Sequence, residues 1–417
     1  MKNKAVKIPE IQDNDFSFEE VVSKLLPKKK FRLLSLFSGA GGMDLGFKQA
    51  GFDIVFANDF EKDACVTYAN NIDDNILNCD ISLISNKDIP KDIDVLIGGF
   101  PCQGFSIANR NRHIDDDRNA LYKEMMRFIT VSNPKIIVAE NVKGILSLGG
   151  GVIFNKIQQD LKDLGYVVDY KLINTAYYGV PQQRERVIII ANKIGCKNKF
   201  PKKTHSKEDF ITTKQAIGDL KDLDITYNQI QHKNGKIVYN HYASTNVHDK
   251  FWGRKHKVNQ FDICDYLKIW RKKAGISTKK IDEIFGYKHT AGHWFRKDNG
   301  SGSIPKPADW WKLKKILGFD DKYDKQVTEL EEKQIVFEQS LRITNWETPS
   351  DTITATSPEI HINKERRLSA RECARIQTFP DDFVFHGSLN SMYKQIGNAV
   401  PVKFANCIAK GLLEMLC

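Results

Sequence analysis

The feature that most constrains the fold of this chain is an alternation of short apolar runs with helical patterns across residues 31–195. Continuous Ile, Val and Leu runs predict strands that are buried on both faces. Such runs occur at Phe31–Phe37, Ile54–Ala57, Val95–Ile97, Ile136–Ala139 and Val187–Ile190. Strands that alternate with helices are typical of a parallel sheet, which binds its ligands at the carboxyl ends of the strands. We therefore predict an α/β fold.

Helical spacing of apolar residues separates these strands and returns later in the chain. In the first part it predicts helices over Met43–Ala50, Lys62–Asn70, Leu121–Val131 and Phe154–Leu164. In the second part, with Ser277 as an N-cap, it predicts helices over Asp262–Lys273, Ser277–Phe285, Thr290–Lys297, Ser369–Gln377 and from Val402 onward. The short helices on either side of Gly286 resemble a helix-turn-helix, although many helical hairpins share this pattern. Residues 196–250 are polar and show little periodicity.

Positive charge is concentrated in one window. Residues 250–315 hold 17 Lys and Arg against six Asp and Glu, a net charge of +11 that equals the formal charge of the whole chain. The same window holds five of the six Trp residues. Basic residues interleaved with aromatic residues are typical of surfaces that bind nucleic acid. The alternative is a solvated charged face over a small core that uses the Trp side chains.

Composition excludes several classes of protein. The chain has 417 residues, 41% hydrophobic and 28% charged, as in a globular protein with two domains or one domain with an insertion. No apolar run approaches the roughly 18–20 residues that span a bilayer, and Met1–Lys30 lacks the apolar stretch of a secretory signal. The eight Cys residues show neither CxxC nor zinc-site spacing, so we expect a reducing, cytoplasmic location.

Two strand ends carry residues suited to a nucleoside ligand. The first predicted strand leads into FSGAGGM from Phe37, where glycines let the backbone approach a ligand and the following helix offers free N–H groups. Asp59 ends the next strand, where a carboxylate typically binds ribose hydroxyls, and Asp80 follows in a position for another contact. Together they predict an adenosyl ligand, although each Asp alone would more often be a helix cap or a surface charge.

Other strand ends carry residues that could do chemistry. Cys102 follows a strand within the glycine-rich sequence GGFPCQGFS, a setting that favours a reactive thiolate over a buried apolar side chain. Glu140 follows the strand KIIVA and could donate a proton. Arg184 and Arg186 lead into the strand VIII, where alternation places them on one face, suited to holding Glu140 or a phosphate.

Six segments of the chain, in this order, resemble the cytosine-5 DNA methyltransferase family. They are LFSGAGG at 36–42, GGFPCQGFS at 98–106, ENV at 140–142, VPQQRERV at 180–187, RRLSARECARIQTFPD at 366–381 and YKQIGNAVPVKFA at 393–405. The long variable stretch between the fourth and fifth segments corresponds to the family's target-recognition region. Ser35 departs from the family pattern, because an acidic residue is common there.

The resemblance implies a fold and a reaction. The fold would be that of S-adenosylmethionine-dependent methyltransferases, a Rossmann-like, mostly parallel sheet with a smaller inserted domain. Residues 1–30 would form an arm, 31–195 and 351–417 the catalytic domain, and 196–350 the target-recognition domain with a helix-turn-helix-like segment at 262–297. A methyl group would pass from S-adenosylmethionine, which becomes S-adenosylhomocysteine, to C5 of a cytosine flipped out of duplex DNA.

Each matching residue takes an expected role from the family. Cys102 would attack C6 of the cytosine, Glu140 would protonate or hydrogen-bond N3, Arg186 would help hold the base and Arg184 would orient the same site. The cofactor would contact Phe37, Ser38, Gly39, Ala40, Gly42, Asn58, Asp59, Phe60, Asp80, Ile81, Gly99, Pro101, Leu121, Asn398, Ala399 and Val400. DNA would contact Gln103, Ser106, Arg110, Arg112, Arg271, Lys272, Lys273, His293, Arg296 and Thr352. The segment Gln103–Asn119 would form a loop that closes over the base.

Two alternatives stay open. A relative on the same fold could act on tRNA, although the large basic region favours DNA. The chain could instead be a DNA-binding regulator without catalysis, but its candidate catalytic residues are intact. We expect a bacterial monomer that protects host DNA from a separate, cognate restriction endonuclease. We expect no metal, because His289 and His293 have a suitable spacing but no apparent third ligand.

Overall fold

The computed structural model describes residues 30–100, 120–225, 231–233, 236–244, 260–286, 307–325, 343–355, 358–363 and 365–417. The main strands are β1 (Arg32–Leu36), β2 (Asp53–Asp59), β3 (Ile76–Asn78), β4 (Val95–Gly98), β5 (Ile136–Val142), β6 (Val167–Asn174) and β7 (Glu185–Asn192). They form one sheet in the order β3-β2-β1-β4-β5-β7-β6. Strand β7 is antiparallel to both of its neighbours, and the other pairs are parallel. The predicted α/β fold is confirmed.

Helices connect the strands and continue through the rest of the chain. They are α1 (Gly42–Gln49), α2 (Lys62–Asn71), α3 (Ala120–Ser132), α4 (Val152–Asp163), α5 (Thr213–Ile217), α6 (Gln260–Lys273), α7 (Thr278–Phe285), α8 (Pro307–Leu317), α9 (Ala370–Ile376), α10 (Leu389–Asn398) and α11 (Val402–Leu416). In the described part of the chain, no helix has the length and apolar character needed to cross a membrane.

Both faces of the sheet are buried, because successive residues of a strand point to opposite sides. In β1, Leu33 packs into one core and Leu34 into another, and in β5 Val138 and Ala139 divide in the same way. Helices α1, α9, α10 and α11 contribute to the first core, whereas α3 and α4 contribute to the second. Buried strands of this kind explain why the apolar runs of the sequence are continuous.

Five of the seven strands match predicted runs, and β3 and β6 do not. Strand β6 escapes detection because most of its residues are exposed and Asp169 and Lys171 interrupt any apolar run. The direction of β7 was also not predicted. Only ten residues, 175–184, separate β6 from β7. A parallel crossover needs about a dozen residues or more, so the short connection favours an antiparallel pair.

The end of the described chain returns to its first helix. Helix α11 packs against α1, and Asn406 Nδ2 donates to the carbonyl of Gly46 at 3.0 Å. A Cβ added at Gly46 would lie 2.6 Å from both the Ala405 Cβ and the Val402 carbonyl oxygen. The two helices therefore approach so closely that only glycine fits at this position.

Replacing Gly46 by Ala should lower the free energy of unfolding by about 1–2 kcal/mol. Overpacking typically costs ~1–3 kcal/mol, which outweighs the gain of up to ~1 kcal/mol from the better helix former. Chemical denaturation of both proteins measures the difference. Gly144→Ala is the matched control, because a Cβ there has no heavy atom within 4 Å. A Gly46→Ala protein as stable as the control would contradict the close approach.

Helices α6, α7 and α8 form a small unit with its own core. The core residues are Ile263, Tyr266, Leu267, Ile281, Phe285, Trp310, Leu313, Leu317, Phe319 and Tyr323. The side chain of Ser277 caps α7 by accepting from the Lys280 N–H at 3.2 Å, as predicted. The predicted helix over Thr290–Lys297 lies outside the described residues. Trp310 is fully buried here, so at least one Trp of the basic window serves packing.

Regular structure also occurs where the sequence shows little periodicity. Within residues 196–250, α5 begins at a capping box formed by Thr212 and Gln215. A short hairpin, β8 (Gln231–Lys233) and β9 (Lys236–Val238), follows. These elements span three to five residues each, too few for a periodic pattern to be recognised.

Candidate active site

The carboxyl ends of the parallel strands create a crevice at the centre of the sheet. From β1 the chain moves outward through β2 and β3, and it then crosses to β4 on the other side of β1. Ligands bind where the strand order reverses in this way. The residues that follow β1, β2 and β4 meet at this edge, and so do those that end β5. The structure thus brings the predicted glycine turn and Glu140 to the same edge of the sheet.

The glycine turn after β1 has an unusual backbone. Phe37, Gly39 and Gly41 have φ angles of 56°, 55° and 84°. The N–H of Gly39 donates to Asp59 Oδ2 at 2.8 Å, and the N–H of Ser38 donates to the Asn58 carbonyl at 3.1 Å. A Cβ added at Gly39 would have no heavy atom within 4 Å. The turn is therefore fixed by β2 on one side and borders open space on the other.

Asp59 ends β2 beside this turn, and Phe60 follows it. The second carboxylate oxygen of Asp59, Oδ1, accepts from the N–H of Glu61 at 2.9 Å. Burial raises the pKa of Asp59 above its usual value. The next side chain, Phe60, is 68% exposed. An exposed aromatic ring next to a half-buried carboxylate offers a stacking surface and a hydrogen-bond acceptor to one ligand.

Four other predicted cofactor residues also have structural contacts. Asp80 is exposed, and its Oδ1 accepts from the N–H and the hydroxyl of Ser82, which lowers the pKa of Asp80. Ala40 and Ile81 are buried in the two cores. Asn58 Nδ2 donates to the Leu77 and Cys79 carbonyls, both at 3.0 Å. The amide nitrogen of Asn58 thus ties β2 to the β3 segment rather than facing the crevice.

A buried hydrogen-bond chain underlies the glycine turn. Ser38 Oγ donates to Ser35 Oγ at 2.9 Å, and the Ser35 hydroxyl in turn bonds the carboxylate of Asp44. The Tyr68 hydroxyl donates to Asp44 Oδ1 at 2.9 Å. Ser35 stands where an acidic residue was expected from the family resemblance, and Asp44 of α1 brings a carboxylate to it. Burial raises the pKa of Asp44 to about 6.

The raised pKa of Asp44 makes a prediction about stability. The folded protein binds this proton more tightly than the unfolded chain, so the free energy of unfolding falls as pH rises from about 4 to 6. The fall amounts to about 3 kcal/mol for a pKa change from 3.8 to about 6. We expect the difference in unfolding free energy between the wild type and Asp44→Asn to change by most of this amount, about 2–2.5 kcal/mol, between pH 4 and pH 7. Asp53→Asn, at an exposed position, controls for the lost charge, and a flat difference for Asp44→Asn would contradict the assignment.

The C-terminal part of the chain forms another wall of the turn. A Cβ added at Gly42 would lie 2.5 Å from the Val400 carbonyl oxygen and 3.0 Å from the Ala399 Cβ. Asn398 is exposed at the end of α10, and Leu121 is half-buried at the start of α3. The segment 398–400 therefore touches the glycine turn, whereas Leu121 lies on the opposite core.

Glu140, near the end of β5, forms an ion pair with Arg186, near the start of β7. Arg186 Nε lies 2.7 Å from Glu140 Oε1, and each side chain is only 12% exposed. The antiparallel register aligns Val142 with Arg186 and so brings the pair together. A Cβ added at Gly99 would lie 3.2 Å from Glu140 Oε2, so the second carboxylate oxygen faces the loop that follows β4. The predicted contact between Arg186 and Glu140 is present.

Several predicted site residues lie outside the described residues. They are Pro101, Cys102, Gln103, Ser106, Arg110, Arg112, His293 and Arg296, together with the segment Gln103–Asn119. The last described residue before the first gap is Phe100, whose carbonyl accepts from Asn141 Nδ2 at 3.0 Å. This bond fixes the backbone two residues before Cys102. Among the residues that the structure describes, there is no cluster of three or more His, Cys, Asp or Glu suited to a metal ion.

Arg184 is almost fully buried and reaches two segments that are distant in sequence. Its Nη1 donates to the Ile353 carbonyl at 3.0 Å and its Nη2 to the Gly397 carbonyl at 2.9 Å. Burial lowers the pKa of Arg184 to about 9. The side chain positions the backbone at Ile353 and the end of α10, and α10 leads directly into the wall at 398–400.

Two glutamines extend this contact and were missed in the sequence. Gln182 Nε2 donates to Gln377 Oε1 at 3.0 Å, and the Ile353 N–H donates to Gln182 Oε1 at 2.9 Å. Gln377 Nε2 donates to the Ile396 carbonyl at 2.7 Å. Both glutamines belong to segments that carry the family resemblance, VPQQRERV and RRLSARECARIQTFPD. That membership is the signal that could have identified them.

Helix α6, which carries three predicted DNA-contacting residues, is joined to the segment that contains Asp351 and Thr352. Lys268 of α6 pairs with Asp351 at 3.1 Å, next to Thr352, whose hydroxyl donates to the Gln183 carbonyl at 2.9 Å. Further along α6, Lys272 and Lys273 are exposed. Arg271 is half-buried, and no hydrogen-bond partner of its buried Nη1 occurs among the described residues. The basic end of α6 is therefore available to a polyanion.

Comparison with known sequences identifies a matching family. The family model described as C-5 cytosine-specific DNA methylase matches residues 31–414. The chain is 31% identical over 406 residues to the type II methyltransferase M.PspPI of Psychrobacter sp. (strain TA137), covering 94% of this chain and 80% of that protein. It is 33% identical over 391 residues to the type II methyltransferase M.FnuDI of Fusobacterium nucleatum, covering 92% and 95%.

Solved structures share the fold at lower sequence identity. An E. coli protein assigned as a prophage-encoded DNA modification methyltransferase superposes with a TM-score of 0.56 at 24% identity, covering 93% of this chain and 99% of that one. The Dnmt2 methyltransferase of S. pombe superposes with a TM-score of 0.51 at 17% identity, with the same coverage. At these identities the likeness shows the fold alone.

Proposed function

Because the chain belongs to the C-5 cytosine-specific DNA methylase family, we propose that it methylates C5 of a cytosine in duplex DNA through a covalent bond between Cys102 and C6. The observation that carries this proposal is the arrangement of Glu140, Arg186 and the β4 loop. Arg186 holds Glu140 Oε1, so Oε2 is the oxygen left to face a base. The same oxygen lies beside Gly99, three residues before Cys102.

The crevice residues fit S-adenosylmethionine as the methyl donor. The open space at Gly39, the exposed ring of Phe60 and the carboxylates of Asp59 and Asp80 offer a nucleoside a stacking surface and hydrogen-bond acceptors. The segment 398–400 would close the other side of the pocket. When bound, the cofactor supplies an electrophilic methyl group on a sulfonium. The chain's own task is to make C5 of cytosine nucleophilic.

Cys102 and Glu140 would share that task. The Cys102 thiolate forms a bond to C6, and the electron pair of the C5–C6 double bond moves to C5. Glu140 delivers a proton to N3, which withdraws charge from the ring during this addition. After C5 has taken the methyl group, its proton leaves to a base, the bond from sulfur to C6 breaks, and Glu140 recovers its proton. Arg186 holds the Glu140 carboxyl in place throughout.

The base must leave the helix stack for this chemistry, at a cost of a few kcal/mol. We propose that residues 196–350 include the target-recognition part, in which α6, α7 and α8 present basic residues to DNA. Lys272 and Lys273 would neutralise phosphates, and Thr352 would meet DNA beside Gln183. The ion pair between Lys268 and Asp351 supports this arrangement, because it joins α6 to the edge that holds Glu140.

We further propose that the enzyme works as a monomer and protects bacterial DNA from a separate restriction endonuclease. The support for the protective role is the designation of the relatives as type II methyltransferases. DNA from cells that carry the gene should then contain 5-methylcytosine within one recurring short sequence. Bisulfite sequencing of that DNA reveals the site and its length.

Transfer of a tritiated methyl group from S-adenosylmethionine to purified nucleic acids tests the reaction directly. We expect label in duplex DNA, recovered as 5-methylcytosine, and none in tRNA. Label in tRNA alone would show that the substrate is tRNA and not DNA. Tight DNA binding without transfer in the presence of the cofactor would instead identify a silent regulator.

A further inference from the structure

A second basic cluster lies on the same sheet edge as Glu140, outside the basic window of the sequence. Strands β5 and β6 are both antiparallel to β7, so their carboxyl ends meet at one edge. The turn that follows β6, Thr175–Gly179, therefore lies on the edge where β5 ends at Glu140 and Val142. Two further segments of the chain bring cationic side chains to this turn.

Three side chains converge on the turn. Lys203 Nζ lies 3.8 Å from the centre of the Tyr177 ring. A Cβ added at Gly179 would lie 2.8 Å from His205 Cε1 and 2.9 Å from Lys403 Nζ, so the imidazole and the ammonium group are within about 6 Å of each other. Gly179 has a φ angle of 71°, and its missing side chain leaves room for both groups. We call Lys203, His205 and Lys403 the β6 cluster.

The backbone holds the β6 cluster in place. The N–H groups of Thr204 and His205 both donate to the Tyr177 carbonyl, at 2.9 and 3.1 Å. The Lys403 N–H donates to Thr378 Oγ1 at 2.9 Å, which fixes the first turn of α11. Lys203 and Lys403 are exposed, and His205 is half-buried. Anchored backbone segments thus present these three side chains at the protein surface.

The β6 cluster has no acidic partner among the described residues. None of its three side chains forms an ion pair with a described carboxylate. The acidic residues nearest in sequence, Glu208 and Asp209, are hydrogen-bonded to Ser206. Two exposed lysines that converge beside an imidazole, without a neutralising carboxylate, are suited to a polyanion.

We propose that the β6 cluster binds the phosphodiester backbone of the substrate duplex to one side of the target cytosine. This inference rests on the proposed function, since it assumes that duplex DNA lies across the sheet edge. Strand β7 lies between β5 and β6, so two strand spacings of ~4.8 Å separate β5 from β6. The cluster therefore lies about 10–15 Å from Glu140. Each base pair advances ~3.4 Å along the duplex, so the contact falls roughly three to five base pairs from the target cytosine.

Charge removal at two positions tests the proposal. The Lys203→Ala, Lys403→Ala double variant should bind target and non-target duplexes more weakly by the same factor. Each phosphate contact contributes ~0.9 to the slope of log K against log salt concentration, so the slope should become shallower by about 2. The control is a Lys91→Ala, Lys162→Ala double variant, because these exposed lysines lie near the amino ends of β4 and β6. Cofactor binding reports that each variant is folded.

Duplex length gives a second measurement. On long duplexes the Lys203→Ala, Lys403→Ala protein should bind more weakly than the wild type. This difference in affinity should disappear when the duplex is trimmed to about two base pairs beyond the target cytosine on one side. A salt slope equal to that of the wild type, or a deficit that persists on duplexes trimmed on either side, would overturn the proposal. Failure of the proposed function is a separate result, because the wild type would then transfer no methyl group to the same duplexes.

Discussion

Glu140→Gln is expected to reduce the rate of methyl transfer by roughly 10²–10⁴-fold, the usual contribution of a positioned general acid. Glutamine has nearly the same shape and can still accept from Arg186, which lies 2.7 Å from Glu140 Oε1. It cannot deliver a proton to N3 of the base. Single-turnover transfer at saturating cofactor and DNA isolates this chemical step from binding.

Glu185→Gln is the matched control for Glu140→Gln. Glu185 is exposed on the neighbouring strand and pairs with Lys143 rather than with the crevice, so its rate should stay near that of the wild type. The Arg186→Met change should also slow transfer, because it leaves Glu140 without its partner. If the two residues act as a unit, the double variant loses far less than the product of the single effects. A Glu140→Gln rate within about threefold of the wild type would remove Glu140 from the proton-transfer step.

Cys102→Ala should abolish measurable transfer, a loss of roughly 10⁴-fold or more, because no other nucleophile would add to C6. A duplex with 5-fluorocytosine at the target position provides a direct readout. Fluorine cannot leave as the proton does, so the wild type should remain bonded to the DNA after methyl transfer. The adduct is seen as a band shift under denaturing conditions and should be absent from Cys102→Ala.

Cys417→Ser is the control for Cys102→Ala, because Cys417 is an exposed thiol at the end of α11. It should form the adduct as the wild type does. An adduct that survives in Cys102→Ala would assign the nucleophile to another residue. Absence of any adduct in the wild type, despite methyl transfer to normal DNA, would exclude a covalent route altogether.

The sequence predicted the positions of most strands well because buried strands need continuous apolar residues. It did so for β1, β2, β4, β5 and β7, and for the helices that cover them. It could not predict β6, an edge strand whose residues are mostly exposed. The antiparallel direction of β7 follows from the length of the preceding connection, which can be counted only once β6 is known.

Side-chain contacts across long sequence separations were the least predictable part of the site. Arg184 was expected near Glu140 by alternation, but its hydrogen bonds go to Ile353 and Gly397. The role of Asp44 beneath Ser35 depends on how α1 folds back over β1. Lys203 and Lys403 are two hundred residues apart, so their convergence leaves no local charge signal in the sequence.

The contact between α1 and α11 has a consequence for synthesis of the protein in the cell. Gly46 and Asn406 are 360 positions apart, yet they are in direct hydrogen-bond contact. At a translation rate of about 5–20 residues per second, the first helix waits roughly 20–70 s on the ribosome before its partner is made. During that interval the nascent chain lacks residues 398–400, whose contact with Gly42 forms one wall of the glycine turn. Methylating activity should therefore begin only after α11 has left the ribosome.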